Sequence, residues 1–361
     1  MRTVLLLHQR FIQHYRVAVY NALSDALAKQ GWRLVVISGG IECNNPHPVK
    51  FIYFATRLAT LSIIRQINET APDVVIFFVN LKELYLFPVL WYLKLQQIPT
   101  VYWGHGIDLE RKQSILKRII YGLEHRAFDA LILYADWLKA FVHARHHHKT
   151  FVANNTLNTG TLGVPVLPKP LVAQKYEIST DLNVICVGRL QKRKRIEDLL
   201  DAFRRIRQKR DDVGLILVGN DLDGLLTKRH DVGVYFLGPI YGQDVTELLG
   251  FADLYCMPGH VGLSIVDAMH AGLPFITEEV DHAPEIMYLR HGKNGFVVPA
   301  GDVDALAEKC LLLLEDGELR EAFSREAKRT IESEASIEKM QKGFIAALQF
   351  CEGIGKRKAV R

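Results

Sequence analysis

The sequence has few of the features that mark secreted or membrane-spanning proteins. Only five of its 361 residues are cysteines, and their odd number and wide spacing are typical of buried thiols in a reducing compartment. The amino terminus, MRTVLLLHQ, has too short an apolar run for a signal peptide, and Pro88 and Lys94 interrupt LYLFPVLWYLKL before it could span a bilayer. These absences predict a cytoplasmic protein.

An excess of charge of one sign is also missing. Lys and Arg number 45 against 40 Asp and Glu, for a net charge of +5. A dedicated nucleic-acid binder is far more basic, and its basic residues are commonly interleaved with aromatic ones, which is not the pattern here. The balance therefore argues against a nucleic-acid partner and suits anionic small molecules or an anionic membrane surface.

Two phosphate-binding motifs are absent as well. After the first apolar run the chain reads HQRFIQHYR, which contains no glycine, so the glycine fingerprint of dinucleotide-binding domains is missing. No Walker-type Gly-Lys-Ser loop occurs either. The sequence thus disfavours a dehydrogenase and an ATPase or kinase of the P-loop class.

What the sequence does have is a regular alternation of short apolar runs and helical patterns. The runs are TVLLL, RLVVISG, DVVIFFV, TVYWG and ALILY in the first half, and NVICVG, GLILVG, VYFLG, DLYCM and PFIT in the second. Strands this continuously apolar are covered on both faces, as in parallel sheets with helical crossovers. Because the chain exceeds the size of a single core, it predicts an α/β protein with two doubly wound, Rossmann-like domains.

The domain boundary is predicted within residues 155–182, a Pro-, Gly- and Thr-rich stretch without a sustained period that is typical of a linker. We expect an N-terminal domain over residues 1–165 and a C-terminal domain over 166–335. A final helix is predicted over 337–350, ahead of a polar, basic tail at 355–361. The segment of about 336–361 is expected to pack back on the first domain.

A basic cluster follows one of the predicted strands in VICVGRLQKRKRIEDLL. Arg189 comes directly after the strand, and Lys194 stands at the start of the next helix. Ligands of doubly wound sheets bind outside the carboxyl ends of the strands, so two cations at this edge could neutralise a diphosphate. The alternative is a solvated basic helix face.

A second candidate segment is MPGHVGLSIVDAMHAGLPFIT, which predicts a glycine-rich turn followed by a helix over 264–271. The first amides of that helix, at Gly262, Leu263 and Ser264, could bind phosphate oxygens. Asp267 lies one turn further, either within reach of a ribose diol or merely complementing the helix dipole. His260, in the turn itself, could face a sugar.

The remaining histidines have both functional and structural interpretations. His105, in TVYWGHGIDLER, could contact substrate in the cleft between the domains or make a structural hydrogen bond. His143 and His147 have an i,i+4 spacing that could hold a metal, but no acidic or cysteine partner is near in sequence, and an exposed helix end is the simpler interpretation. The letters DLD at 221–223 predict a loop, and no metal site is predicted.

Taken together, these motifs resemble the retaining glycosyltransferases of family 4, in which two facing Rossmann-like domains form the GT-B architecture. The resemblance is strongest from Asn183 to Asp302, where the basic cluster is followed by LILVGN, VYFLG, LLGFADLYCMPG, GLSIVDAMHAGLPFIT and APEIMYLRHGKNGFVVPAGD in the family's order. The N-terminal half matches more loosely, through RFIQHYRVAVYNAL and VYWGHGID. That pattern is similar to members that build bacterial envelope polysaccharides such as O-antigen or capsule.

The resemblance implies that residues 1–165 form the acceptor-side domain and residues 166–335 the nucleotide-sugar-binding domain, in which Arg189 and Lys194 hold the donor diphosphate. Together with His105, whose position after a strand end favours contact with substrate, these two cations are the candidate catalytic residues. The resemblance also implies that the backbone around Gly238 lies beside the nucleotide base and that the helix from Gly262 receives phosphate and ribose. The reaction implied is transfer of a sugar, with retention, from a nucleotide-diphosphate sugar to a hydroxyl of a lipid-linked or other oligosaccharide. No cofactor or metal is implied beyond the nucleotide sugar itself.

Two departures from the family pattern keep alternatives open. The family usually carries Glu-x7-Glu where this sequence has Gly259 and Asp267, so one carboxylate is kept and an expected sugar contact is lost. Arg195 replaces the glycine that normally follows the lysine, and this extra cation could contact phosphate or membrane. The alternatives are another GT-B enzyme, such as a nucleotide-sugar epimerase, and a non-catalytic sugar-nucleotide-binding protein.

Two basic stretches bear on localisation. RKQSILKR at 111–118 and the basic tail could attract anionic lipid. The expectation is a cytoplasmic protein in peripheral contact with the inner face of the cell membrane, with an ordinary solvated surface as the alternative.

Overall fold

The computed structural model describes residues 1–42, 45–78, 83–109, 115–224 and 231–359. The chain divides into two compact units, Met1–Asn158 with Ile337–Arg361, and Thr159–Ser336. Cys43 lies outside the described residues, and the other four cysteines are free and buried, as the sequence predicts.

The first unit is built on a seven-stranded parallel sheet. Its elements are β1 (Arg2–His8), β2 (Phe11–Ile12), α1 (His14–Ala28), β3 (Trp32–Ser38), β4 (Gly40–Ile41), β5 (Ile52–Ala55), α2 (Thr60–Thr70), β6 (Val74–Phe78), α3 (Leu86–Leu95), β7 (Thr100–Gly104), α4 (Ile115–Ala127), β8 (Ala130–Leu133) and β9 (Thr150–Val152). The strand order is β5-β3-β1-β6-β7-β8-β9, and β2 and β4 form a separate two-residue pair. The five apolar runs predicted in this half are β1, β3, β6, β7 and β8, and their central residues are buried.

The second unit is built on a six-stranded parallel sheet. Its elements are α5 (Lys169–Lys175), β10 (Leu182–Val187), α6 (Ile196–Lys209), β11 (Val213–Val218), β12 (Val234–Gly238), α7 (Gln243–Phe251), β13 (Leu254–Cys256), α8 (Ser264–His270), β14 (Phe275–Glu278), β15 (Gly295–Val298), α9 (Val303–Glu315) and α10 (Gly317–Glu334). The order β12-β11-β10-β13-β14-β15 is the doubly wound order 3-2-1-4-5-6. The prediction of two parallel-sheet α/β domains is confirmed.

The last helix, α11 (Ile337–Ala359), belongs to the first unit, where it packs on β8, β9 and α1. The contact is close, because a Cβ built on Gly343 would lie 2.2 Å from the carbonyl oxygen of Val152. The helix continues beyond Phe350, where the sequence predicted its end. The last turns of α11 are polar and lack the apolar periodicity that indicates a helix, so the predicted helix was too short.

Part of the predicted linker is regular structure that belongs to the second unit. The helix α5 lies inside residues 155–182, and it packs on α7. The carboxylate of Glu247, on α7, accepts hydrogen bonds of 3.0 and 3.1 Å from the backbone amides of Val166 and Leu167. The prediction of an irregular linker up to Leu182 was therefore wrong, because a seven-residue helix is too short to show a period.

The order of the second sheet reverses at β10, which lies between β11 and β13. At such a switch point the connections leave toward opposite faces of the sheet and open a crevice outside the carboxyl ends of the strands. β10 ends at Val187 and β13 at Cys256. The segments that follow these two strands therefore define the candidate site.

Candidate functional site

Two loops meet at the switch point of the second sheet. The basic loop, residues 188–195, follows β10, and the glycine loop, residues 257–263, follows β13. Backbone hydrogen bonds join them directly, from the amide of Gly259 to the carbonyl of Lys194 (3.0 Å) and from the amide of His260 to the carbonyl of Arg193 (2.9 Å). The sequence predicted both segments as parts of one site, and the structure brings them into contact.

Lys194 links the two loops through its side chain as well. It is 9% exposed, and its ammonium group donates hydrogen bonds to the carbonyl oxygen of His260 and, at 3.2 Å, to the sulfur of Met257. Burial, together with the positive charges of Arg193 and Arg189, lowers the pKa of Lys194 to about 8. A buried cation with little compensating negative charge is stabilised by an anion that arrives next to it.

Arg189 has the opposite environment. It follows β10 and is exposed, and none of the described residues forms a hydrogen bond or an ion pair with its guanidinium group. Gly188 precedes it with a φ of 140°, and the built Cβ of Gly219 would lie 1.8 Å from the carbonyl oxygen of Gly188. The turn that carries Arg189 is thus packed tightly on the loop after β11, while the side chain itself remains available to an anion.

Arg195 is occupied within the second unit. Its guanidinium Nε lies 2.8 Å from Oε2 of the buried Glu278 and 2.7 Å from Oδ2 of Asp198. Its φ of 53° lies in the left-handed region that glycine adopts without strain, which agrees with the glycine expected here from the family pattern. The hypothesis that Arg195 contacts phosphate or membrane is not supported, because both of its carboxylate partners are internal.

Gly259 leaves no room for a side chain. A Cβ at this position would lie 2.2 Å from the carbonyl oxygen of Arg193 and 2.6 Å from the Cα of Lys194. Glycine is required because the backbone of the basic loop passes directly against it. The carboxylate that the family pattern carries here is excluded by this arrangement of the loops.

Histidines hold the glycine loop from its other side. The ring of His260 donates from Nδ1 to the carbonyl of Asp281 (2.9 Å). His282 accepts at Nδ1 from the amide of Val261 (3.0 Å) and donates from Nε2 to the carbonyl of Glu278 (2.8 Å). This pairing requires a neutral imidazole, and burial lowers the pKa of His282 accordingly.

The helix α8 begins where the glycine loop ends. The carbonyls of Gly262 and Leu263 accept hydrogen bonds from the amides of Ile265 and Val266, but none of the described residues accepts one from the amides of Gly262, Leu263 or Ser264. These three amide groups remain available, in agreement with the sequence expectation of a helix start near Gly262.

Asp267 lies on the first turn of α8 and is half-buried. Burial raises the pKa of its carboxyl to about 7, and no described residue donates a hydrogen bond to it. The carboxylate is therefore available to accept hydrogen bonds from a ligand.

The predicted base-side glycine, Gly238, is the last residue of β12. It has a φ of 68°, and its carbonyl accepts a hydrogen bond of 2.8 Å from the amide of Gly219. In the nearby DLD segment, Asp223 accepts a hydrogen bond of 2.6 Å from the amide of Lys192. That segment therefore supports the basic loop.

Sequence reasoning missed three groups that shape this site, namely Tyr255, Glu278 and His282. The Tyr255 hydroxyl bonds both the amide (3.0 Å) and the carbonyl (2.6 Å) of Val187, and so fixes the end of β10 to β13. Tyr255 lies inside an apolar run, where an aromatic residue is normally interpreted as part of the hydrophobic core. Glu278 and His282 lie in and after β14, where no local pattern indicates a role.

The remaining histidine candidates lie in the first unit. The ring of His105, after β7, packs edge-on to Tyr134 with ring centroids 4.9 Å apart. In the 143–148 cluster, His143 accepts from the amide of Arg145, and the Nε2 of His147 donates to the carbonyl of Val142 at 2.9 Å. Among the residues that the structure describes, no group of three His, Cys, Asp or Glu side chains could hold a metal ion.

Comparisons with solved structures define the class of fold. A glycosyltransferase from Rickettsia africae superposes with a TM-score of 0.77 at 14% sequence identity, over 97% of this chain and 98% of that one. Anabaena HepE, in complex with UDP and glucose, gives a TM-score of 0.71 at 18% identity, over 97% and 100% of the two chains. The fold is that of the GT-B glycosyltransferases.

Sequence comparison defines the family of the second unit. Residues 169–330 match the family of glycosyl transferases group 1, so the second unit carries a domain of this family. A phosphatidyl-myo-inositol mannosyltransferase of Mycobacterium leprae is 34% identical over 150 residues, 39% of each chain. An N-acetyl-alpha-D-glucosaminyl L-malate synthase of Bacillus anthracis is 29% identical over 177 residues, 46% of this chain and 45% of that protein. These matches span less than half of either relative.

In the described parts of the chain, every helix is too short or too polar to cross a bilayer.

Proposed function

We propose that this chain is a glycosyltransferase that moves a sugar from a nucleotide-diphosphate sugar to a hydroxyl group of an acceptor. The observation that carries the proposal is the contact between the basic and glycine loops at the switch point of a group 1 domain. Around that contact lie an exposed cation without an internal partner, a buried cation, three available amides and an available carboxylate. This is the set of groups that a nucleoside diphosphate requires.

Each group has a chemical role in the proposal. Sugar transfer leaves a nucleotide diphosphate with growing negative charge, and preorganised cations and amides stabilise that charge best. Arg189 and Lys194 supply the cations, the amides around Gly262 bind phosphate oxygens, and Asp267 accepts hydrogen bonds from the ribose hydroxyls. The UDP and glucose bound to Anabaena HepE, which has the same fold, support a nucleotide sugar as the donor.

The proposed stereochemical course is retention. The leaving phosphate then removes the proton of the acceptor hydroxyl on the same face of the sugar, so no side-chain nucleophile and no metal is needed. His105 is the group proposed to contact substrate from the first unit. The backbone at Gly238 is proposed to lie beside the base.

The proposed acceptor is lipid-linked. The names of two relatives contain lipids, phosphatidyl-myo-inositol for the Mycobacterium leprae protein and phosphatidylinositol monomannoside for the Corynebacterium glutamicum protein. The Bacillus anthracis relative is instead named as an L-malate synthase. A lipid-linked oligosaccharide of a bacterial envelope polysaccharide, presented at the inner face of the cell membrane, is the acceptor that best fits the sequence resemblance. A cytoplasmic protein in peripheral contact with that face would reach it.

A second candidate function is sugar-nucleotide binding without turnover. It is favoured by Gly259, since the loop backbone excludes the carboxylate that the family pattern uses as a sugar contact. In that case the nucleotide would bind as proposed, but no acceptor would be glycosylated.

The first experiment is a thermal-shift panel with UDP, GDP, ADP, CMP and their sugars. A ligand present at a hundred times its dissociation constant stabilises the folded state by about 2.7 kcal/mol. Arg189→Ala is expected to lose this response without lowering the melting temperature of the free protein, because no described residue forms a hydrogen bond or an ion pair with this exposed side chain. Lys194→Ala is expected to lose the response and to lower the melting temperature, because Lys194 also holds the carbonyl of His260.

The matched control is Arg325→Ala, an exposed arginine of α10, which should keep the full response. If no nucleotide stabilises the wild type, or if Arg189→Ala responds like Arg325→Ala, the donor site is not where we propose it. Turnover of the stabilising nucleotide sugar with lipid-linked and soluble acceptors then separates the two candidate functions. Binding without product across both acceptor sets would favour the second.

A further inference from the structure

The helix α4 in the first unit turns an apolar stripe away from the core. Leu116, Ile119, Ile120 and Leu123 recur at i, i+3, i+4 and i+7, and their exposed fractions range from 43% to 66%. A stripe with this spacing normally faces the interior of a globular domain. Here the buried side of α4 carries Glu124 and His125 instead, so the apolar side chains are left at the surface.

The helix α3 adds to the same surface. Phe87, Trp91 and Leu95 recur every four residues along it and are between 51% and 69% exposed. The strands β6, β7 and β8 are neighbouring and parallel, with α3 and α4 as their consecutive crossovers. Because such crossovers are right-handed, both helices cover the same face of the sheet. Seven large apolar side chains are thus exposed on two helices that cover one face of the sheet, and clustered exposed apolar side chains mark interaction sites.

The charge around these side chains has one sign. Lys94 on α3 and Lys117, Arg118 and Arg126 on α4 are the charged groups at the surface of the two helices, while their one acidic residue, Glu124, is buried. Burial raises the pKa of Glu124 to about 8, which keeps it largely neutral near pH 7.

Half of these cations are already paired. Lys94 and Lys117 have ion-pair partners, in Asp129 and Asp108. Arg118 and Arg126 have no partner among the described residues and remain available to an external anion.

We propose that the apolar face of α3 and α4, formed by Phe87, Trp91, Leu95, Leu116, Ile119, Ile120 and Leu123, docks on the surface of an anionic lipid bilayer. Leucine, isoleucine and tryptophan on one side of a helix with basic residues beside them are the pattern of interfacial amphipathic helices. Tryptophan is suited to the boundary between headgroups and acyl chains, and arginine pairs with anionic headgroups. The rim of this face exposes no acid on either helix, so its complement is a surface that supplies negative charge and takes up apolar side chains.

This inference rests on the proposed function for its biological sense, since a lipid-linked acceptor lies in such a bilayer. Its residues are separate from those of the donor site. It also differs from the expectation based on basic stretches alone, because residues 111–114 of RKQSILKR lie outside the described residues. The apolar side chains that carry the inference were not predicted to be exposed.

The test is co-sedimentation of the full chain with vesicles of phosphatidylcholine, alone or mixed with phosphatidylglycerol, at low and high salt. The wild type is expected to bind the mixed vesicles at low salt, and less at high salt. Ile119→Gln/Leu123→Gln should bind at least about tenfold more weakly, because two side chains that would enter the bilayer are lost. Leu171→Gln/Leu312→Gln changes two exposed leucines of the second unit and should bind like the wild type.

The charge contribution is tested separately. Arg118→Gln/Arg126→Gln is expected to bind mixed vesicles about thirtyfold more weakly, from about 1 kcal/mol for each basic residue near the surface. The control is Arg325→Gln/Arg329→Gln on α10 of the second unit, which should have no effect. Folding of the first-unit variants can be followed by tryptophan fluorescence, because all four tryptophans lie in that unit. Folding of the second-unit controls is followed by circular dichroism.

The possible results distinguish membrane docking from self-association of the chain. Absence of wild-type binding to mixed vesicles at low salt, or equal binding by Ile119→Gln/Leu123→Gln, would overturn the proposal. Concentration-dependent dimers that this double variant dissociates, without vesicle binding, would assign the face to a second copy of the chain instead. Nucleotide-induced thermal stabilisation measured on the same samples shows whether the donor site fails independently of the membrane face.

Discussion

The guanidinium group of Arg195 is the ion-pair partner of Glu278, a side chain with no exposed surface at the end of β14. The same carboxylate accepts a hydrogen bond of 2.9 Å from the amide of Gly301. This pair fixes the start of α6 to the strand that follows the glycine loop. Arg195 is therefore a structural cation, although it stands in a cluster with the two cations proposed to bind the donor.

Removal of this cation should destabilise the second unit. Arg195→Ala leaves the Glu278 carboxylate buried without its counter-ion, and we expect a loss of about 2 kcal/mol, somewhat less than for fully buried pairs because Arg195 is partly exposed. Arg204→Ala, which breaks surface ion pairs with Asp201 and Asp231, should cost less, about 0.5–1 kcal/mol. Urea unfolding followed by circular dichroism measures both, and equal losses would contradict the structural role.

Substitution of Gly259 tests the close approach of the two loops. Gly259→Ala should destabilise the second unit by about 1–3 kcal/mol, because the new methyl group meets backbone atoms that cannot move independently. Gly262→Ala is the matched control in the same loop, where a Cβ meets no atom within 4 Å. Similar melting temperatures for the two variants would show that the loops can separate.

The same contact predicts the result of restoring the family's carboxylate. Gly259→Glu should bind and turn over a nucleotide sugar less well than the wild type, since the loops must part to accept it. A gain in turnover, measured as product per minute at saturating donor, would show that the loops rearrange around the new side chain.

With Asp267 and Lys194 in the roles proposed above, donor affinity should have a maximum between about pH 7 and pH 8. Asp267 must be ionised to accept hydrogen bonds from both ribose hydroxyls, so affinity rises as the pH rises through its pKa of about 7. Lys194 must be protonated to attract the diphosphate, so affinity falls above its pKa of about 8. Calorimetry with a nucleotide sugar, whose diphosphate does not titrate in this range, gives the profile.

One variant tests whether Asp267 causes the rise in affinity on the acidic side of that pH profile. Asp267→Asn should bind more weakly at every pH and lose the rise through pH 7, because the amide does not titrate. An unchanged acidic limb in Asp267→Asn would show that another group controls it.

The first unit should lose stability in acid through two buried histidines. Burial lowers the pKa of His8 to about 3 and that of His125 to about 4, below the ordinary value of about 6.5. The unfolded chain therefore takes up protons first, and the stability that the neutral rings provide above pH 6.5 is lost as the pH falls toward 4. Each histidine contributes about 1.4 kcal/mol per pH unit in this window.

The measurement compares variants, because Glu124, whose pKa is raised, has an effect of opposite sign. His125→Gln can keep a donor for the carbonyl of Gly106 and should lower the slope of stability against pH by about 1.4 kcal/mol per unit. Urea midpoints from tryptophan fluorescence report on this unit alone. The exposed His291 of the second unit, changed to Gln, should leave the slope unaffected, and a slope in His125→Gln equal to that of the wild type would contradict the assignment.

The fold was largely predictable because its strands are buried on both faces. Each predicted apolar run became a strand, and the doubly wound order follows from parallel strands with helical crossovers. The short strands β5 and β9 at the edges of the first sheet were not predicted. β5 is only partly buried, so its sequence lacks the continuous apolar run that identified the central strands.

The site was predictable to the extent that local position decides it. Arg189 follows the end of β10, and Asp267 lies in the first turn of α8. Both positions at the carboxyl edge of the sheet can be predicted from the local sequence. The role of Arg195 depends on its ion pair with Glu278, and the role of His282 depends on its hydrogen bond with Val261. Both partners are distant in the chain, and no sequence motif marks them. Tertiary contacts of this kind leave no periodic signal, so sequence alone could not separate the structural cation from the available one.

The packing of α11 on β8 and β9 has a consequence for biosynthesis. The whole second unit separates this helix from β9 in sequence, so a ribosome releases the second unit first. That unit can fold while the sheet of its neighbour still lacks a covering helix, since domains generally fold as units during synthesis. Until Ile337–Ala359 emerge, the nascent chain carries a complete second unit joined to a first unit whose strands β8 and β9 lack the helix that packs on them.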